Sequence, residues 1–368
     1  MKNTIRCLSL VVTVTLFALP AFANRIHSPA DDTAQDPCSA DGKAALYSDF
    51  VKEIKGDQAK AYEMAKKYVA CPAGEAPDAA EVQRVTYIKN FIAKYEKADR
   101  STRFNKALVD KKYSDAFAIG KQILSDEPEN LRVLFDLTNA GYAAPDASLD
   151  ADTVAFAKKS IQLVEAGKAP EKWAPFDSKD DALGWLNYIV ATRVVKNSPG
   201  EAIPLFIKAA SYEGKIKKLP YAYNALGEAY EKGPFPKLLA DYKKYEGQEE
   251  STASKLALEN LNQVIDRMID AYARAVALSG SDAQYKDIKT QALAGATDWY
   301  KFRHDKSPVG LDELIANILS KPLPPEPTPI TTLPTPAATP ASGTGTSAAG
   351  SAPTATSSPV KTPGPTKP

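Results

Sequence analysis

Histidine is the side-chain type most suited to acid–base chemistry and metal binding, and this chain of 368 residues has two of them. His27 and His304 lie far apart, whereas a zinc site needs three or four ligands, usually closely spaced His or Cys residues. A Ser-His-Asp triad would have to use one of them, and neither a Gly-x-Ser-x-Gly motif, a P-loop nor a dinucleotide fingerprint is present. We interpret His304 as a cation near a helix C-terminus, where the helix dipole favours it. We expect no metal and no cofactor.

Paired carboxylates are the other groups that could do chemistry. Asp180-Asp181 and Glu249-Glu250 could supply the two facing carboxylates of a glycan hydrolase, although such pairs are also common on solvated helices. The sequence Ser358-x-x-Lys361 lies in a proline-rich stretch that cannot hold catalytic geometry. We expect a protein that is not an enzyme. The alternative is a helical envelope hydrolase that acts on peptidoglycan or glycan through surface carboxylates.

Two of the three cysteines are spaced as a disulfide would require. Cys38 precedes a predicted helix over 40–55, and Cys71 follows a predicted helix over 58–70, with Gly56-Asp57 as the turn between them. If the helices are antiparallel, both cysteines lie at the open end of the hairpin, within bonding distance. The sequence therefore predicts a Cys38–Cys71 disulfide, which indicates an oxidising compartment.

Residues 1–23 are typical of a secretory signal peptide. Lys2 and Arg6 precede an apolar run over 8–19, and Ala21-Phe22-Ala23 fits the rule for cleavage. No later run approaches the roughly 18 apolar residues of a membrane span. We expect an exported chain, periplasmic or secreted, without a transmembrane span.

The charge of the chain is almost balanced, with 46 basic and 45 acidic side chains. Lys2 and Arg6 belong to the leader, so the mature chain is close to neutral. A nucleic-acid-binding protein carries a clustered basic excess. We therefore expect no nucleic-acid partner.

Helical periodicity dominates from residue 38 to residue 320. Apolar residues recur at intervals of three and four, for example at Leu46, Phe50 and Ile54, and no stretch alternates as a strand would. Breakers separate these stretches into predicted helices of about 12–20 residues. They are Gly56-Asp57, Cys71-Pro72, Glu127-Pro128, Ala144-Pro145, Ser198-Pro199, Gly233-Pro234, Ser279-Gly280 and Ser307-Pro308.

The predicted fold class is therefore all-α, an α-solenoid-like array of antiparallel helix pairs over 38–320. Residues 24–37 are predicted to form a flexible arm. Residues 321–368 are predicted to be disordered, because this Pro/Thr/Ser/Ala-rich tail has no aromatic residue and little apolar surface to bury. Spacer, wall-penetrating and glycosylated roles for the tail remain open, as does an inert one.

One segment carries a recognisable repeat motif. Tyr223-x2-Leu226-Gly227-x2-Tyr230 matches the first-helix pattern of the tetratricopeptide repeat, and Trp185 begins a weaker copy upstream. Ala202-x3-Phe206 matches the second-helix pattern. The chain thus resembles tetratricopeptide-repeat (TPR) proteins over about 38–300. In that pattern Gly227 allows close approach of the second helix, while Leu226 and Tyr230 fill the space between helices.

The resemblance implies a role in protein binding, because stacked helix pairs leave one helix face exposed to a partner. Positions off the predicted core face are the tentative partner-binding residues: Arg193, Tyr221, Asn224, Glu228 and Lys232. We therefore expect a non-enzymatic scaffold of the cell envelope or secreted space that binds a peptide or partner protein. A stiff structural spacer is a further alternative.

Overall fold

The computed structural model describes residues 36–72 and 78–333. Helices contain 74% of these residues, and no strand occurs among them, so the described part of the chain is all-helical as predicted. The predicted signal peptide, residues 24–35 of the predicted arm and residues 334–368 of the predicted tail lie outside the described residues. The α-helices are α1 (Ala40–Glu53), α2 (Gln58–Ala70), α3 (Ala79–Val109), α4 (Tyr113–Asp126), α5 (Leu131–Ala143), α6 (Asp150–Glu165), α7 (Lys179–Val194), α8 (Pro199–Ser211), α9 (Pro220–Lys232), α10 (Pro234–Lys243), α11 (Thr252–Ser279), α12 (Lys286–Arg303) and α13 (Leu311–Asn317).

Helix boundaries follow the breakers and the capping residues. The side chain of Asp57 accepts hydrogen bonds from the first backbone amides of α2, and Ser178 does the same for α7. Pro199 and Pro234 occupy the first turns of α8 and α10, where a missing N–H costs nothing. Pro204 lies inside α8 and does not end it.

Helix lengths differ from the predicted 12–20 residues at both extremes. α3 has 31 residues and α11 has 28, whereas α13 has only seven. No proline or glycine interrupts α3 or α11, so nothing local ends these helices. The chain also divides into two compact units, up to Lys97 and from Ala98.

The first unit is built on the predicted hairpin. Cys38 and Cys71 form the predicted disulfide, with their Cα atoms 5.2 Å apart. Phe50 and Tyr68 are fully buried and pack with Ile88 of α3. These contacts bury the apolar faces of α1 and α2 against the first part of α3.

A polar cluster also joins the three helices of this unit. Glu81 of α3 accepts hydrogen bonds from Lys43 Nζ and from the Tyr68 hydroxyl, each at 2.6 Å. The Lys43 and Tyr68 donors hold the pKa of Glu81 below its usual value. Burial, together with the neighbouring Glu81 carboxylate, raises the pKa of Tyr68 to about 12.

In the second unit, each helix packs against the next along the chain, and α11 is its centre. α11 contacts α9, α10, α12 and α13. Its buried face includes Val264, Ile265, Met268 and Tyr272, most of which belong to the largest apolar cluster of the unit. The opposite, more polar face of α11 is the surface on which the candidate site lies.

Candidate functional site

The motif residues of the predicted repeats lie in the core of the second unit. Five of them are buried in its largest apolar cluster: Ala202, Phe206, Tyr223, Leu226 and Tyr230. Trp185 is half-buried and packs edge-to-face against Tyr142 and Tyr188, at ring distances of 5.9 Å. Trp173 and Trp299 also pack against other rings.

Gly227 allows a close approach, but not the one that the motif predicts. A Cβ atom at Gly227 would lie 2.8 Å from the ring of Tyr272, which belongs to α11 and not to the following helix α10. Gly295 of α12 lies near the same ring, and a Cβ there would approach it to 3.1 Å. The Tyr272 hydroxyl donates to Glu231 at 3.1 Å. The two glycines thus form a slot for Tyr272, which joins α9, α11 and α12.

Four of the five tentative partner-binding residues lie along α9. Tyr221 is 43% exposed, and its ring lies edge-on to Tyr285. Glu228 accepts from Asn224 Nδ2 at 2.9 Å and from Lys232 Nζ at 2.6 Å. Asn224 itself is buried, and its Oδ1 has no hydrogen-bond partner among the described residues. Tyr221, Glu228 and Lys232 remain accessible, whereas Asn224 is buried.

Arg193 is engaged inside the fold and does not face a partner. Its guanidinium donates to the carbonyls of Gly141 and Tyr142, at 2.9 and 3.2 Å, and its Nε lies 3.0 Å from Asp150 Oδ1. The two carbonyls belong to the last turn of α5, where backbone acceptors have no partner within the helix. The structure therefore gives Arg193 a role in capping α5, and it does not support the predicted partner-binding role.

A second candidate surface is formed by residues that were not predicted from the sequence to be site residues. Residues 321–333, which we call the strap, lie in extended form along α11, so the expectation of disorder does not hold for this part of the tail. The strap is held by side chains of α11 that bind its main chain. These α11 residues, which we call the polar row, are Asn260, Gln263, Arg267 and Arg274.

Each residue of the polar row donates to a main-chain carbonyl of the strap. Arg274 Nη2 donates to the carbonyls of Lys321 and Pro322, at 3.0 and 2.8 Å. Arg267 Nε donates to the carbonyl of Pro325 at 2.8 Å. Gln263 Nε2 lies 3.3 Å from the carbonyl of Thr328.

The far end of the strap is fixed by a two-way hydrogen bond. Asn260 Nδ2 donates to the carbonyl of Ile330 at 2.9 Å, and the amide of Ile330 donates to Asn260 Oδ1 at 2.7 Å. An asparagine side chain pairs here with a peptide unit just as a neighbouring strand would. The strap therefore has a defined position on α11.

Asp270 orients Arg274 for its contact with the start of the strap. The guanidinium is only 4% exposed, and its Nε donates to Asp270 Oδ1 at 2.7 Å. Burial raises the pKa of Asp270, and the Arg274 charge opposes that rise. Because Asp270 fixes the plane of the guanidinium, the remaining donors point at the strap.

A groove of about 460 Å³ lies beside the strap. Glu326, the only charged residue of the strap after Lys321, lines it together with the first residues of α8 and α10. Helix N-termini carry partial positive charge, so an acidic side chain is favoured there. The other lining residues are Pro199, Gly200, Ile203, Lys232, Gly233 and Pro234.

One member of each carboxylate pair considered for hydrolysis makes a structural contact. Asp181 is buried, and it accepts from the backbone amides of Asp177 and Lys215, at 3.1 and 2.8 Å. Glu250 pairs with Lys255 at 3.2 Å. Over residues 36–72 and 78–333, no group of three or more His, Cys, Asp or Glu side chains is arranged to hold a metal ion. Within the same ranges, no helix combines the length and the apolar character needed to cross a bilayer.

Over the described residues, the chain is all-helical, and the central helix of its second unit, α11, holds an extended segment of the same chain by the main chain of that segment. No protein-family model, curated protein or solved structure matches the chain.

The polar row could have been found in the sequence only as a spacing. Asn260, Gln263, Arg267 and Arg274 follow one another at intervals of three, four and seven, which places them on one face of a helix. In the sequence alone, such a row cannot be distinguished from an ordinary solvated helix face. The sequence therefore shows the polar row but not which segment of the chain it binds.

Proposed function

We propose that this protein is a non-enzymatic interaction scaffold of the cell envelope or secreted space, and that it binds a partner protein in extended conformation on α11. The observation that carries the proposal is the polar row, whose four side chains hold an extended segment by its main chain. Such contacts recognise peptide units, which every protein has. Another chain with carbonyls at the same spacing can therefore make them.

The donor chemistry also supports binding. Arg274 and Arg267 offer charged donors to neutral carbonyls, and hydrogen bonds to charged groups are worth roughly 1.5–3 kcal/mol each. Arg274 is also held by Asp270 through its Nε, a contact independent of the strap, so less side-chain entropy remains to be lost when a segment binds. A preorganised surface of this kind suits a binding protein.

The finer part of the proposal concerns repeat architecture. We infer that α7 with α8 form a TPR-like helix pair and that α9 is the first helix of the next one, since the motif residues of these three helices pack in one apolar cluster. α10 departs from the pattern because none of its residues is buried, and α9 instead receives Tyr272 of α11. α11 therefore takes the packing position that a second helix would have, and its outer face remains for a ligand.

The alternative of an envelope hydrolase has less support. Asp181, the best-placed carboxylate of the candidate pairs, accepts two backbone amides and holds the start of α7. Its oxygens are thereby occupied by structural contacts. The export of the chain and its position in the envelope remain proposals based on the predicted leader and on the disulfide.

A peptide library tests this function. Full-length protein is screened, at high peptide concentration, against 13-residue peptides that either contain prolines or lack them. We expect some peptides to bind. Because the strap occupies the same side chains, the alanine variants are made in a Leu333→Asp background that loosens the strap, and there Asn260→Ala and Arg267→Ala should weaken peptide binding, because each removes a donor to the peptide main chain. Asn262→Ala is the matched control, since Asn262 lies two residues from Asn260 and outside the polar row. If no peptide binds, or if Asn260→Ala and Asn262→Ala behave alike, the proposed function is wrong.

A further inference from the structure

The strap contacts α11 with a period of three residues. The main-chain carbonyls bound by Arg274, Arg267 and Gln263 belong to residues 322, 325 and 328. Four of the five half-buried strap residues, Pro324, Pro327, Ile330 and Leu333, show the same interval, and the fifth is Leu323. A polyproline II helix has three residues per turn, so one of its faces repeats with this period. The strap has five prolines, which favour that conformation.

The dimensions of the two elements agree. From residue 274 to residue 260, α11 rises about 21 Å at 1.5 Å per residue. From residue 322 to residue 330, a polyproline II segment rises about 25 Å at 3.1 Å per residue. The strap runs antiparallel to α11, because its first residues meet Arg274 and its last residues meet Asn260. The polar row therefore covers almost three turns of a polyproline helix.

Proline also suits the hydrogen-bonding pattern of this surface. Five of the six strap contacts from the polar row are made to carbonyls, and the only backbone amide used is that of Ile330. Proline keeps its carbonyl and has no N–H that would need a partner. A segment with prolines at most positions thus satisfies the row and leaves few donors unpaired.

The strap lies at the surface of the second unit. None of residues 321–333 is buried, and only five are half-buried. Its hydrogen bonds to Gln263 and Arg267 are exposed, whereas those to Asn260 and Arg274 are partly buried. Leu323 packs against the edge of the largest apolar cluster, so another segment with an apolar residue at that position can replace the strap.

Taking the proposed function as its basis, we propose that α11 is a receptor for proline-rich, polyproline II segments of a partner protein, and that the strap is its displaceable intramolecular occupant. The partner segment spans at least nine residues and carries an apolar residue or proline at every third position. It has a free amide at the position equivalent to Ile330. Four residues earlier it has an acidic side chain, which takes the place of Glu326 beside the N-termini of α8 and α10.

A strap variant tests the proposal in the full-length chain. Ile330→Asp places a charge at a half-buried strap position and weakens the end that Asn260 holds, while α11 itself is unchanged. Thr331→Asp is the matched control, because it adds the same charge at the neighbouring exposed position. The probe is a fluorescent peptide with the strap sequence KPLPPEPTPITTL, followed by fluorescence anisotropy. A second peptide replaces every proline by serine.

We expect the proline peptide to bind Ile330→Asp at least about tenfold more tightly than the wild-type chain or Thr331→Asp, because apparent affinity scales with the fraction of open sites. The serine peptide is expected to bind much more weakly. Circular dichroism tests whether both variants fold. If Ile330→Asp does not fold, Leu333→Asp replaces it as the strap variant.

Each contrary result identifies the step that is wrong. Equal binding of the proline peptide to all chains refutes the strap as occupant. Equal binding of the two peptides refutes the proline-rich class and leaves the proposed function intact. If neither peptide binds, and the peptide library also fails, both the inference and the proposed function are wrong.

Discussion

The Cys38–Cys71 disulfide gives the most quantitative prediction for the stability of the first unit. The bond closes a loop with a sequence separation of 33 residues. In the chain-entropy treatment, a crosslink over this separation removes enough freedom from the unfolded chain to stabilise the fold by about 3.7 kcal/mol at 25 °C. The double substitution Cys38→Ala/Cys71→Ala should lower the free energy of unfolding of α1 and α2 by about this amount.

Hydrogen exchange measures this loss residue by residue. Backbone amides of Phe50, Ala61 and Ala65 lie in the core of the hairpin and should exchange about 500-fold faster in the variant, since 1.4 kcal/mol corresponds to a factor of ten. Amides around Ile265 and Met268 of α11 are the internal control, because they belong to the core of the second unit. Their exchange should be unchanged.

Reductant supplies the second control. Treating the wild-type chain with reductant should reproduce the effect of the substitution, and the same treatment should not change the variant. Unaltered protection of Phe50 and Ala65 in the variant would refute the reasoning, since the hairpin would then be held by its apolar contacts alone. Equal loss of protection in α11 would also refute it, because the disulfide would then stabilise more than its own unit.

Two further substitutions test other parts of the packing. Gly227→Ala should lower the free energy of unfolding of the second unit by about 1 kcal/mol, because its Cβ would lie 2.8 Å from Tyr272 and overpacking costs about 1–3 kcal/mol against a propensity gain near 1. Gly200→Ala, whose Cβ meets nothing within 4 Å, should instead raise it slightly; equal denaturation midpoints for the two variants would contradict the Tyr272 slot. Glu81→Gln should destabilise the first unit by about 1 kcal/mol at neutral pH, since it removes the charge that pairs with Lys43. The folded-state pKa of Glu81 is lowered, so this stabilisation is present above the ordinary pKa and is lost as pH falls through the folded value; a difference between wild type and variant that persists at pH 2 would contradict the assignment.

The sequence predicted well wherever a local rule decides the structure. Breakers such as Gly56-Asp57 and Ser198-Pro199 mark helix ends because backbone geometry requires it. The disulfide followed from the spacing of its cysteines around one hairpin. The apolar residues Leu46, Phe50 and Ile54 were placed correctly on one packed face because helical periodicity determines which face is buried.

Prediction failed where the answer depended on a distant element. The repeat motif required small size at Gly227, but it could not show that the approaching ring would come from α11. Arg193 lies off the core face of its own helix, and only the last turn of α5 converts it from a surface residue into a cap. In both cases the local pattern was correct, and the identity of the contact was non-local.

The strap shows why composition alone misjudges a proline-rich tail. Disorder was predicted because the segment cannot bury enough apolar surface to offset its ordering entropy. Proline reduces that entropy in advance, since its ring already restricts φ in the unfolded chain. The remaining entropy cost is offset by hydrogen bonds from outside the segment. Asn260, Arg267 and Arg274 of α11 donate these bonds to its carbonyls. A segment that is disordered by its own composition can therefore be ordered by a helix that offers donors along one face, and the same reasoning makes its place open to a competing segment of like composition.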